Sequence, residues 1–244
     1  MRRPPELVVV GAMKCGTSAL HGYLDAHPEI AMAPEKEVNF FFGPAERPDT
    51  DPDTWWVDGQ WHRGTAWYVG RFDPAAPLRG EASPGYTDPA HPEVPARMAR
   101  VAPHARLVYL VRDPVDRAVS QWRHHQRDGT EPRALATAVL DPASQYLDRS
   151  RYHARIAGFL AHFERDQLLV VAQEDLLRDR RATLRRVFEH VGADPAYWDA
   201  RLHAGPREPR TGPVPDALRA AVWAEVGADA DRLAELVGAD LLRR

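Results

Sequence analysis

The chain has 244 residues, enough to bury one full α/β core, and 35 acidic against 32 basic side chains leave a formal charge of −3 with a pI near 6.4. That balance offers no global attraction to nucleic acid or an anionic membrane, so any basic site has to be local. A single cysteine, Cys15, excludes an internal disulfide framework and a cysteine-based zinc site.

The opening MRRPPELVVVG has only a short apolar run, too short for a signal h-region or a membrane span, and a cytoplasmic location is the expectation. Residues 7–10 (LVVV) read as a strand covered on both faces of a parallel sheet. A glycine-bounded loop follows at 11–16. Thr17 and Ser18 then open a helix that places Leu20 and Leu24 on one face before Pro28 stops it. A strand feeding such a loop aims unpaired N–H groups and the positive end of a helix dipole at one point, which makes an anion site. In a Walker A loop, GxxxxGK[ST], the lysine follows the second glycine. Here Thr17 stands in that place and the lysine lies inside the loop at Lys14, giving GxxKxGTS. Only Lys14 and Lys36 among the 32 basic residues are lysines, and both fall near this loop.

Residues 30–33 form a short second strand, followed by PEKEVNFFF at 34–42, where Glu37 is a carboxylate beside an aromatic run that would wall it from water and raise its pKa. The bland reading of Glu37 is a solvated loop carboxylate paired with Lys36. Residues 43–63 carry no period but contain Trp55, Trp56 and Trp61; they read either as a lid or acceptor wall, or as a loop pinned down by its aromatics. A short helix at 66–72 and a third strand at 78–81 come next, then GEASPGY at 80–86 at the carboxyl end of that strand, where ligands collect in open α/β sheets.

A helix at 92–101 leads to a buried strand at 106–111 and then RDPVDRAVS at 112–120. Asp113 caps a helix with Pro114 at its first position, and Val115, Ala118, Val119 and Trp122 make the buried stripe. Ser120 lies off that stripe, free to meet a ligand beside Arg112, while Arg117 is assigned to Asp113 or another structural carboxylate. His124 and His125 are candidates to face an acceptor but lack the company a metal site requires. Tyr152, Ile156, Phe159, Leu160 and Phe163 mark a helical face, residues 167–172 a fifth strand, and Leu184, Val187, Phe188 and Val191 a helix ended by Gly192. A proline-rich loop at 203–213 with Arg207 and Arg210 precedes two short C-terminal helices.

The loop GxxKxGTS, the element KEVNFF, the element EASPGY and RDPVDRAVS resemble those of sulfotransferases that use 3′-phosphoadenosine 5′-phosphosulfate (PAPS), of the heparan-sulfate and bacterial type, and the resemblance spans most of the chain. It implies a single α/β domain over 1–244 with the three-layer P-loop NTPase-like fold, a central parallel sheet of about five strands flanked by helices. It also implies an enzyme moving a sulfuryl group from PAPS to a hydroxyl of a small-molecule, glycan or lipid acceptor, with 3′,5′-adenosine bisphosphate (PAP) as product and no metal. Lys14 and the amides of Cys15, Gly16, Thr17 and Ser18 would hold the 5′-phosphosulfate, and Arg112 and Ser120 the 3′-phosphate. Glu37 would be the base, with Tyr152 near the nucleotide and Arg207 or Arg210 reaching the 3′-phosphate. The sequence departs from the family where Asn39 replaces a frequent histidine and Ala82 a lysine, so a second catalytic cation would be Lys36, an arginine, or none. The rival readings are a P-loop small-molecule kinase, with Asp113 reaching magnesium, and a nucleotide-binding module that has lost its chemistry.

Overall fold

The computed structural model describes residues 3–47, 58–203 and 213–243. Trp55, Trp56, Arg207 and Arg210 lie outside them. Five strands form one parallel sheet: β1 (Leu7–Gly11), β2 (Ile30–Met32), β3 (Leu78–Ala82), β4 (Arg106–Val111) and β5 (Leu168–Ala172), in the order β2-β3-β1-β4-β5. The unbroken apolar runs of β1 and β4 are what a strand needs when helices cover both sheet faces, and Leu7 to Val10 and Leu107 to Val111 are fully buried. Leu7 is registered with Gly80 on one side and Arg106 on the other. The chain therefore leaves β1 where the strand order reverses, the position at which open α/β sheets bind ligands.

Helix α1 (Thr17–Asp25) follows the β1 loop and buries Leu20 and Leu24 as expected. The helix expected at 66–72 is α2 (Gly64–Val69), ended by the turn at Gly70, while Phe72 still reaches the core. Helix α3 (Val94–Val101) leads into β4, and α4 (Pro114–Arg127) is capped by Asp113, whose Oδ1 accepts from the Asp116 amide at 2.8 Å. Val115, Ala118 and Val119 of α4 form a second apolar cluster with α5 (Leu135–Val139) and α6 (Gln145–Asp148). Beyond these lie α7 (Tyr152–Leu160), α8 (Gln173–Arg178) and α9 (Arg180–Val191), the last closed by Gly192 in the left-handed conformation, φ 83°.

The C-terminal region differs from expectation, being one 22-residue helix, α10 (Asp216–Val237), rather than two short ones. A mid-helix glycine such as Gly227 costs only about 1 kcal/mol. Buried positions Leu218, Val222, Val226, Ala230 and Leu233 carry the stripe straight across it, the first three completing the second cluster and the last two joining the main core. The buried Asp229 of this helix also caps α7, accepting from the His153 and Ala154 amides at 2.9 Å each. Among the described residues no helix is long and apolar enough to cross a membrane.

Candidate active site

The β1–α1 loop is pinned at both ends: the Ala12 amide donates to the Leu110 carbonyl at 2.8 Å, and Gly16 caps α1 at φ 93°. No side chain caps α1, so the amides of its first turn point outward without intrahelical partners. A Cβ at Gly16 would sit 3.2 Å from the Gln173 amide nitrogen, so glycine is needed for the turn and for the approach of α8. Lys14 is held at φ 67°, and burial, then the nearby Arg127 guanidinium, push its ammonium below the usual lysine range while Asp128 and Glu37 pull it back. Cys15 is fully buried and desolvation lifts its thiol to about 11, so its contribution to the loop is its size; its amide, expected to face the phosphosulfate, donates to the Ala12 carbonyl at 3.2 Å and closes the loop instead.

The second cation stands at the end of the neighbouring strand. Arg112 is 4% exposed, with Asp116 Oδ2 3.7 Å from its Nη2. Ser120 is half-buried one turn beyond Asp116 on the same face of α4. Asp113 is committed to protein partners: besides capping α4 it accepts from Arg219 of α10 at 3.2 Å through both oxygens, and Arg219 also reaches Asp116 at 3.3 Å. Arg219, which no sequence signal links to Arg112, thus shares with it the Asp116 carboxylate. Arg117 is a correction. It is fully buried and donates to Ser150 Oγ, Gln121 Oε1 and the Tyr146 carbonyl, all neutral oxygens, and so acts as a strut between α4 and α6.

Tyr152 is also fully buried. Its hydroxyl donates to the Arg112 carbonyl at 2.8 Å and lies 3.6 Å from Cys15 Sγ. It therefore sits beneath the site, tying the β1 loop to the end of β4, and presents no surface to a ligand.

On the other side, Glu37 (φ 65°) and Asn39 (φ 51°) carry the acceptor-side turn. The Glu37 amide donates to the Ala82 carbonyl at 3.0 Å, and its carboxylate pairs with Lys36 while its side chain stays 44% exposed. The rings of Phe40, Phe41 and Phe42 turn inward, Phe40 stacking on Tyr68 at 4.4 Å, so the expected aromatic wall around Glu37 is absent. Ala82 is a fully buried methyl and supplies no cation; Lys36 is the one beside the carboxylate. Trp61 packs on Phe40 with the Arg97 guanidinium 4.6 Å from its ring centre, the anchoring role among the two readings of that loop.

The residue that sequence reasoning missed is Glu81. Its carboxylate is fully buried and accepts from Tyr68 at 2.5 Å, Ser83 at 2.6 Å and Tyr86 at 2.8 Å. Burial pushes its pKa up and the three hydroxyls pull it back; the ionised form can accept from all of them. Ser83 Oγ and the Tyr86 hydroxyl in turn accept from the Asn39 and Phe40 amides at 3.1 and 3.0 Å. A carboxylate inside β3 therefore fixes the backbone two residues from Glu37. Glu81→Leu is expected to lower unfolding free energy by about 3 kcal/mol, since each buried hydroxyl left unmet costs about 1–3 kcal/mol. A urea midpoint within experimental error of the parent would contradict this role.

A cleft of about 440 Å³ opens against this turn, lined among others by Met13, Glu37 and Asn39. His125 lines it too, bonded to the Tyr146 hydroxyl at 2.9 Å, whereas His124 pairs with Asp128 at 3.4 Å.

Comparison with known proteins agrees with this architecture. A family model described as the Sulfotransferase family matches residues 5–199. Mouse heparan sulfate glucosamine 3-O-sulfotransferase 3B1 is 29% identical over 213 residues, covering 82% of this chain and 49% of its own length. Mouse bifunctional heparan sulfate N-deacetylase/N-sulfotransferase 4 is 29% identical over 216 residues, covering 79% and 23%. The chain thus spans less than half the length of either relative. The crystal structure of a sulfotransferase from Alicyclobacillus acidocaldarius superposes with a TM-score of 0.79 at 29% identity, over 97% of both chains. On the family match, which takes in Lys14, Glu37, Arg112 and Ser120, the chain belongs to the Sulfotransferase family.

Proposed function

We propose that this protein transfers a sulfuryl group from PAPS to an acceptor hydroxyl. The observation that carries the reading is the pair of cationic anchors at adjacent strand ends, Lys14 in the β1 loop and the buried Arg112 after β4, with Glu37 within electrostatic reach of Lys14. A donor with phosphate groups at both ends of its nucleoside fits two such anchors. In the proposed roles, the first-turn amides and Lys14 hold the 5′-phosphosulfate, and Arg112 with Ser120 holds the 3′-phosphate. The acceptor oxygen bonds to sulfur as the sulfur–oxygen bond to the 5′-phosphate breaks, the acceptor proton passes to Glu37, and PAP leaves. Lys14 and the loop amides meet the charge that builds on the leaving phosphate. Tyr152 acts through the positions of Arg112 and Cys15. Arg207 and Arg210 remain proposed contacts to the 3′-phosphate, and cytoplasmic residence belongs to the same proposal.

Calorimetry tests the reading directly. PAP is expected to bind with an affinity that EDTA does not change. Magnesium-dependent ATP binding tighter than that of PAP would replace the sulfotransferase reading with a kinase.

A further inference from the structure

The cleft beside Glu37 carries information about the acceptor, because the charged groups facing it are already matched. Arg149, the guanidinium that lines it, pairs with Asp88; the two side chains are only 12% and 19% exposed. Its Nε is spent on Gln145 Oε1. The Glu37 carboxylate has Lys36. His125 is pushed toward its neutral form by burial first, and then by the neighbouring His124 and Arg149. Among the described residues, no unpaired cation lines the cleft, while two carboxylates do.

Apart from the uncharged polar side chains of Asn39 and Gln145, the rest of the lining is ring and apolar surface. His91 lies parallel on Phe42, ring centres 4.1 Å apart at 12°, and Pro84 and Ala90 continue that surface. An anionic acceptor entering here would be desolvated against Glu37 and Asp88 and would have to break the Arg149 pair to be met by a cation. An uncharged ring compound would lose only water from apolar carbon.

We propose that the cleft selects uncharged hydroxyl acceptors with a planar or hydrocarbon body, and that the Asp88–Arg149 pair is the element that rejects anionic ones. This rests on the sulfotransferase reading, and PAP binding is measured separately so that the two can fail independently. Loss of PAP binding would remove the parent reading; the acceptor results bear on the cleft alone.

The test uses the full chain saturated with PAP and three probes: 4-propylphenol, the matched carboxylate 3-(4-hydroxyphenyl)propionate, and a heparan sulfate oligosaccharide. Binding is followed by calorimetry. The phenol is expected to bind at least about tenfold more tightly than the carboxylate, which would lose its hydration at a partly desolvated site whose lining guanidinium is already paired. Asp88→Asn, which releases Arg149, is expected to narrow that ratio at least threefold. Ala90→Lys places a cation at the exposed rim without disturbing the buried pair; it should narrow the ratio in the same direction even if Asp88→Asn folds poorly. The proposal is overturned if the carboxylate or the oligosaccharide binds the parent protein as tightly as the phenol. It is equally overturned if the phenol shows no binding to the PAP-loaded protein, or if neither substitution changes the ratio.

Discussion

Arg112→Ala is expected to weaken PAP binding by about 30-fold or more, corresponding to the lower end of the ~2–5 kcal/mol lost when one partner of a buried charge pair is truncated. Arg112 is nearly enclosed, its carbonyl is held by Tyr152, and Asp116, 3.7 Å from its guanidinium, is shared with Arg219. Its guanidinium is therefore a preorganised fork, which a flexible surface arginine does not replace. Removing it should leave the fold intact, because its side chain fills no part of the apolar core clusters. The measurement is calorimetric titration with PAP, alongside a titration with adenosine 5′-phosphate. The ratio of the two affinities should collapse in the variant, since only PAP carries the second phosphate. If both ligands weaken equally, Arg112 acts on the fold and not on the 3′-phosphate.

Glu37→Gln should do the opposite: PAP affinity stays essentially unchanged and turnover falls by about 10²–10⁴-fold, the range for loss of a positioned general base. Glutamine preserves the shape of the side chain and its capacity to stay beside Lys36, but it cannot take the acceptor proton. The left-handed backbone at Glu37 is fixed by the Ala82 carbonyl and, two and three residues on, by Ser83 and Tyr86, so the substitution leaves the turn in place. The assay follows PAP release with an acceptor the parent protein turns over. Turnover at the parent rate would show that another group accepts the proton.

The strands and the donor loop were legible in the sequence because each is written locally. An unbroken β-branched run, a glycine at each end of a six-residue turn, and hydroxyl residues at a helix start each constrain the backbone within a few residues. Lys14 and Arg112 were legible for the same reason, each being the charged residue that directly follows or interrupts a buried strand's exit. Glu81 was not. Its three hydroxyl partners come from α2, from the residue two positions on and from a turn, and only the folded chain brings Tyr68 next to Tyr86. Glu37 was found, but its surroundings were misjudged: the aromatic residues that follow it are adjacent in sequence and yet face the core, because the left-handed turn at Glu37 and Asn39 rotates them inward. The merged C-terminal helix shows the same limit, since the packing that makes one helix of the two expected continues from Leu218 to Leu233 and exists only in the folded chain.

The contact between Arg219 and the α4 cap bears on where the working unit ends. The family match stops at residue 199, yet Asp113 and Asp116, which follow Arg112, are met by a side chain twenty residues further along. A chain trimmed to the matched segment would keep Lys14, Glu37, Arg112 and Ser120 and still lose the guanidinium that pairs with Asp113 and Asp116. The part of the chain that arranges this strand end therefore reaches into its last helix, past the end of the matched segment.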